Sequence, residues 1–229
     1  MSSREAIFAS IRRALHVAGG EAPRREIVAE RLAAAPVGVI PARGQGDAEA
    51  RLKTFAAEAD RAQASVATVA EAADVPKEIA RFLREHNLPA HLRMGDDPLL
   101  AAMPWSATAL EIAHGPSDGH DLNAVTAAFA GIAETGTVAL LSGPDNPTTL
   151  NFLPDNAIVV LPADRVEGAI EGVFKRLRET FGPGGGPRTV NLVTGPSRSA
   201  DIEQTLLLGA HGPRRLHIVI VKESFGSTH

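Results

Sequence analysis

Four short apolar runs, Val138–Leu141, Ala157–Leu161, Val190–Val193 and Leu216–Val221, alternate with segments whose apolar residues recur at helical spacing. Continuous apolar runs of this kind suit strands buried on both faces, and amphipathic helices are what cover such faces. The pattern predicts an α/β fold, with all four runs in one mostly parallel central sheet and helices on both of its faces. At 229 residues the chain is long enough to close that core as a single domain.

The flanking segments fit this alternation. Ser2 and Glu5 form a capping-box pair, and Ile7, Phe8, Ile11 and Leu15 follow at helical spacing, so a first amphipathic helix is expected to reach about Val17. Pro23, Pro36, Pro41, Gly44 and Gly46 then break the chain, with one short helical possibility from Glu26 to Ala34. Residues 1–46 are therefore read as an N-terminal helix and extended connection, and 47–229 as the main domain. The apolar stripe of that first helix favours its packing on the main body or on another subunit over a merely flexible tail. Asp47 caps a second predicted helix and Asp74 with Pro76 opens a third, while Ala64–Val69, Ala90–Met94 and Ala109–Ile112 read as further strands. Later helices are predicted over Val166–Phe181 and Ala200–Leu208.

Chemistry concentrates in two turns. In the first, Glu134, Thr135 and Thr137 surround Gly136, a residue without a β-carbon that allows a sharp bend or a close approach. Glu134 is either the acidic group of a site or a structural residue that caps a turn or pairs with a nearby Arg. In the second, Thr194, Gly195, Ser197, Arg198, Ser199 and Asp201 follow a predicted strand and precede a predicted helix. Free amides and the positive end of a helix there would favour an anion, with the serines as donors and Arg198 as a bidentate partner; plain capping is the competing reading. The glycine frame and lysine of a P-loop are missing. His211 is read as a turn residue, with a general-base role as the alternative. The segment from His114 to Asp121 holds two histidines and two aspartates without a recognised metal spacing, so a solvated loop competes with a metal site.

The segments Gly131–Val138, Leu153–Pro154, Thr194–Glu203 and Gly209–Pro213, in that order and spacing, resemble the lactate-utilisation protein C family of LUD-domain proteins. The resemblance implies the fold of sugar-phosphate isomerases and CoA transferases. It also implies membership of a bacterial system that oxidises L-lactate to pyruvate with two iron–sulfur partner subunits. On this reading the chain is an accessory subunit that binds a small anionic ligand or a partner. The alternative is a self-contained acyl-CoA or sugar-phosphate transferase or isomerase, with Glu134 as its catalytic group. In that family a histidine is often found where this chain has Ala157, so the role of that histidine does not carry over.

Composition narrows the choice. The formal net charge of −4 supplies no basic stripe for nucleic acid. The sequence contains 0 cysteines, so no iron–sulfur cluster can be held by thiolates of this chain and no cofactor is assigned to it; clusters are expected in the partner subunits. No stretch has the apolar length of a membrane span, and the start Met-Ser-Ser-Arg-Glu is unlike a signal peptide, so a cytoplasmic location is expected.

Overall fold

The computed structural model describes residues 2–34, 38–182, 184–200 and 206–223. The chain divides into two units, one running to Val39 and one from Ile40 on. In the first, helix α1 (Ser3–Ala14) begins with the expected capping box, Ser2 N donating to Glu5 Oε2 at 2.7 Å and Glu5 N to Ser2 Oγ at 3.3 Å. Helix α2 (Ala22–Ala34) follows a turn in which Glu21 accepts from the amides of Ala18 and Gly19. Ile7 and Ile11 on α1, Leu15 at its C-cap, and Val28 and Leu32 on α2 are exposed.

The second unit runs α3 (Ala48–Arg61), β1 (Ser65–Val69), α4 (Val75–Glu85), β2 (His91–Met94), α5 (Pro98–Ala101), β3 (Glu111–His114) and β4 (Asn123–Ala127). It continues with β5 (Ala130–Ile132), β6 (Thr137–Leu141), α6 (Thr148–Phe152), β7 (Asn156–Pro162), β8 (Val166–Glu167) and α7 (Ile170–Phe181). Strands β9 (Val190–Val193), β10 (Arg198–Ala200), β11 (Leu206–Leu208) and β12 (Arg215–Val221) complete the described elements. Six strands form a parallel sheet in the order β1-β12-β7-β4-β2-β3.

Side-chain alternation explains how this sheet is covered. Ala157, Val159 and Leu161 of β7, with Leu216, Ile218 and Ile220 of β12, face one way and meet Phe55 and Ala59 of α3 and Val138 and Leu140 of β6. Ile158 and Val160, with Val219 and Val221, face the other way onto Ile79, Phe82 and Leu83 of α4. Both faces of β7 are therefore dry, and its seven residues are all buried. At the amino ends of the central strands, Asn123 donates to the carbonyls of Pro89 and His91, both at 3.0 Å, and accepts from Asn156 Nδ2 at 2.9 Å. Arg215 Nη1 donates to Asn156 Oδ1 at 3.1 Å, so this polar row is internally satisfied.

Two sequence-based expectations are corrected. Val138–Leu141 and Val190–Val193 are not in the parallel sheet; they lie in a second, four-stranded sheet, β8-β5-β6-β9, in which β6 runs antiparallel to both β5 and β9. The physical reason is the connection: only Ala133–Gly136 separate β5 from β6, which is room for a hairpin turn and far too little for a parallel crossover. The predicted helix over Ala200–Leu208 is also replaced, where described, by a two-stranded hairpin pairing Ser199 with Leu207; residues 201–205 lie outside the described residues. Helix α7 packs Val173, with Ile170 and Leu177, on Ala130, Ile132 and Ala139 of the smaller sheet.

Candidate ligand-binding site

The β5–β6 turn is held from two sides. Gly136 adopts φ +64°, and a β-carbon there would lie 2.2 Å from the Ala59 amide nitrogen, so the turn rests directly on the backbone of α3. Glu134 is 7% exposed; its amide donates to Gly168 O at 3.1 Å and its Oε1 accepts from Ile170 N at 3.3 Å. Ile170 is the first residue of α7, whose cap residue Ala169 has no side-chain group to offer. The Glu134 carboxylate thus supplies a cap from another element at the positive end of the helix. Replacing it by glutamine keeps an acceptor and removes the charge, so Glu134→Gln is expected to cost about 1 kcal/mol, read as a lower urea midpoint. A Glu134→Gln protein with the wild-type urea midpoint would overturn that reading in favour of a site role.

The two threonines turn the other way. Thr135 Oγ1 and Thr137 Oγ1 are 2.7 Å apart, and Thr137 Oγ1 is 2.6 Å from Thr194 Oγ1, so a chain of hydroxyls joins the first turn to the second. Beyond Thr194 the backbone is again fixed by close approach: Gly195 has φ +71°, and a β-carbon would meet the carbonyl of Ala62, at the end of α3, at 2.1 Å. Ser197 is tied to the loop before β12, its amide donating to Pro213 O at 2.8 Å and its Oγ accepting from His211 N at 3.3 Å. Arg198 is exposed and reaches Ala62 O at 3.4 Å.

Thr194, Gly195, Ser197, Arg198 and His211 surround a pocket of about 280 Å³ whose inner wall includes Ala157 and Leu216. These last two are the second residues of β7 and β12, so the pocket opens near the amino ends of the parallel strands rather than at their carboxyl ends. Among the described residues no helix follows this turn to supply a dipole, because Arg198–Ala200 and Leu206–Leu208 are strand. What remains for binding an anion is the Arg198 guanidinium with the hydroxyls of Thr194 and Ser197. Glu134 and Gly136 do not line this pocket, Ser199 lies in β10, and Asp201 falls outside the described residues.

The His114–Asp121 segment is organised by Arg93, which donates to Asp121 Oδ1 and to His114 O, each at 3.0 Å, while His114 Nδ1 lies 2.9 Å from Asp96 Oδ1. Among the described residues no group of three or more His, Asp or Glu side chains is placed to hold a metal ion. Asp97, Asn146 and Arg165, which sequence reasoning passed over, line a second cavity. The available signal was their position in polar Gly/Pro/Asp turns directly after apolar strands.

A six-stranded parallel sheet flanked by helices, with a smaller mixed sheet on one face, defines an α/β protein. Residues 123–221 match the LUD domain family model. It is similar to the lactate utilization protein C of Shouchella clausii (strain KSM-K16), at 33% identity over 40% of each chain. It is also similar to the lactate utilization protein C of Geobacillus thermodenitrificans (strain NG80-2), at 31% identity over 52% of this chain and 53% of that one. The chain thus spans about two fifths to one half of the length of these curated relatives. The crystal structure of a DUF162 family protein from Deinococcus radiodurans has a TM-score of 0.54 and 22% identity, covering 78% of this chain and 100% of that chain; it bears on the fold alone.

Proposed function

We propose that this protein is a lactate-utilisation protein, acting as an accessory subunit of an iron–sulfur-dependent system that oxidises L-lactate to pyruvate. The observation that carries the reading is the LUD-domain similarity to curated proteins named lactate utilization protein C. The absence of cysteine supports it from the other side, since thiolate-ligated clusters must then come from partner subunits. In the same reading the Arg198 pocket holds a small anionic ligand or an anionic group of a partner. The transferase alternative asks for an exposed nucleophile, and a Glu134 that is 7% exposed and bonded to α7 favours the accessory role.

The test is growth on lactate of a strain deleted for its own lactate utilization protein C and carrying this gene. The wild-type protein is expected to restore growth and to co-purify with cysteine-rich partners. Arg198→Ala should fold normally, since Arg198 is exposed, and bind its anionic partner about tenfold more weakly, the usual loss for one charge-assisted hydrogen bond. Lactate-dependent dye reduction by the purified chain alone would sink the accessory reading.

A further inference from the structure

The larger cavity lies where three neighbouring parallel strands end. Asp97 follows β2, Phe129 follows β4 and Arg165 follows β7, and all three line one space of about 420 Å³. From β2 the chain moves outward to β3, whereas from β4 it moves inward to β7 and β12. The carboxyl ends of β2 and β4 therefore flank the point at which the winding of the sheet reverses, the place where open α/β sheets form a ligand crevice. The loop Ser142–Asn146 closes one side. It is pressed so tightly on the end of β2 that a β-carbon at Gly95 would lie 2.0 Å from the Asp145 carbonyl.

The lining has a definite chemistry. Asn146 is 9% exposed, and its Oδ1 has no hydrogen-bond partner, so an acceptor waits there for an O–H or N–H. Asp97 adds a second, partly buried acceptor; burial pushes its carboxyl up, against the Leu99 and Leu100 amides and the Arg165 charge, which act the other way. Arg165, a lining residue, is in no ion pair among the described residues. Phe129 and Phe181, with ring centroids 6.4 Å apart, give an apolar wall. Acceptors outnumber cations, which suits a hydroxyl-rich ligand bearing one anionic group and disfavours a polyphosphate.

We propose that this cavity binds a ribonucleoside monophosphate, with its vicinal hydroxyls on Asp97 and Asn146, its phosphate on Arg165 and its base against Phe129 and Phe181. The volume falls in the range of pockets that enclose ligands of this size. This site is separate from the Arg198 pocket and stands or falls without the lactate assignment.

Calorimetric titration of the full chain with AMP, GMP, CMP and UMP tests it, with the dideoxy analogue of each and inorganic phosphate as probes lacking the diol or the nucleoside. At least one monophosphate is expected to bind, and its dideoxy counterpart about tenfold more weakly. Asp97→Asn keeps an acceptor for the Leu99 amide that Asp97 now caps, and so preserves the start of α5. That variant and Arg165→Ala should each weaken binding about tenfold at unchanged thermal stability, with Arg198→Ala binding like the wild type. No binding of any of the four at about 1 mM, equal binding of the dideoxy analogue, or folded Asp97→Asn and Arg165→Ala proteins that bind normally would each overturn the proposal.

Discussion

Gly136→Ala is expected to destabilise the protein by about 4 kcal/mol, seen as a large drop in the urea midpoint with little change in slope. Two costs coincide at this position. An alanine must adopt the left-handed conformation at φ +64°, and its β-carbon must find room 2.2 Å from Ala59 N and 2.5 Å from Glu58 C. Both neighbours are backbone atoms of α3, so no rotamer change relieves the overlap; the hairpin turn and the helix have to separate. That separation would open the cluster in which Phe55 and Ala59 of α3 meet Val138 and Leu140 of β6. Gly143→Ala is the control, because nothing lies within 4 Å of a β-carbon there. A Gly136→Ala protein unfolding at the wild-type urea concentration would show that α3 does not rest on this turn.

The second large effect is a loss of stability in mild acid. His217, on β12, is 2% exposed; its Nδ1 lies 2.8 Å from Ser65 Oγ and its ring stacks on Phe82 at 4.1 Å. Its Nε2 is 3.4 Å from Glu78 Oε1 without making a hydrogen bond. Burial lowers the His217 pKa from 6.5 to about 4; the charges of Arg81 and His86 act in the same direction, and Glu78 opposes them. The folded protein therefore holds this imidazole neutral where the unfolded chain would protonate it. Its contribution is fully present above pH 6.5 and is lost as the pH falls to about 4, where the total reaches about 3 kcal/mol. Burial pushes the Glu78 carboxyl up, but Arg81 and His217 together bring it below the usual value, so its own contribution to stability also falls as the pH drops into the acid end of this range. Urea denaturation at a series of pH values should show the slope in the wild type and a flatter profile in His217→Gln. Parallel profiles for the two proteins would contradict the assignment.

How much of this was legible beforehand depended on whether a feature is local. Ala157–Leu161 and Leu216–Val221 read as buried strands because both of their faces are dry, which leaves an unbroken apolar run. The capping box at Ser2 and Glu5 was legible for the same reason, being complete within four residues. Strand β4 was not recognised, since Asn123 and Thr126 interrupt its hydrophobicity; Asn123 is tolerated in the interior only because Pro89, His91 and Asn156 satisfy it. Its partners are more than 30 residues away in sequence, beyond any local pattern.

The candidate sites divide along the same line. Gly136 and Gly195 were marked as special by their neighbours, and both hold positive φ against the backbone of α3 or its end. The linking of Thr137 to Thr194 and the engagement of Glu134 with α7 had no trace in spacing, because a hydroxyl or carboxylate in a turn has no preferred direction until another element meets it. The sequence by itself determined where the fully apolar strands Ala157–Leu161 and Leu216–Val221 and the two chemistry-bearing turns lie, how charge is distributed, and that a chain with no thiolates ligates no cluster through them. The tertiary structure alone decided that Val138–Leu141 turns back antiparallel into a second sheet, that Glu134 caps a helix, and that Asp97, Asn146 and Arg165 share a cavity. Hydrophobic burial fixes which segments go inside, since it has no direction; hydrogen-bond pairing and close contact between distant segments fix which neighbours they meet there.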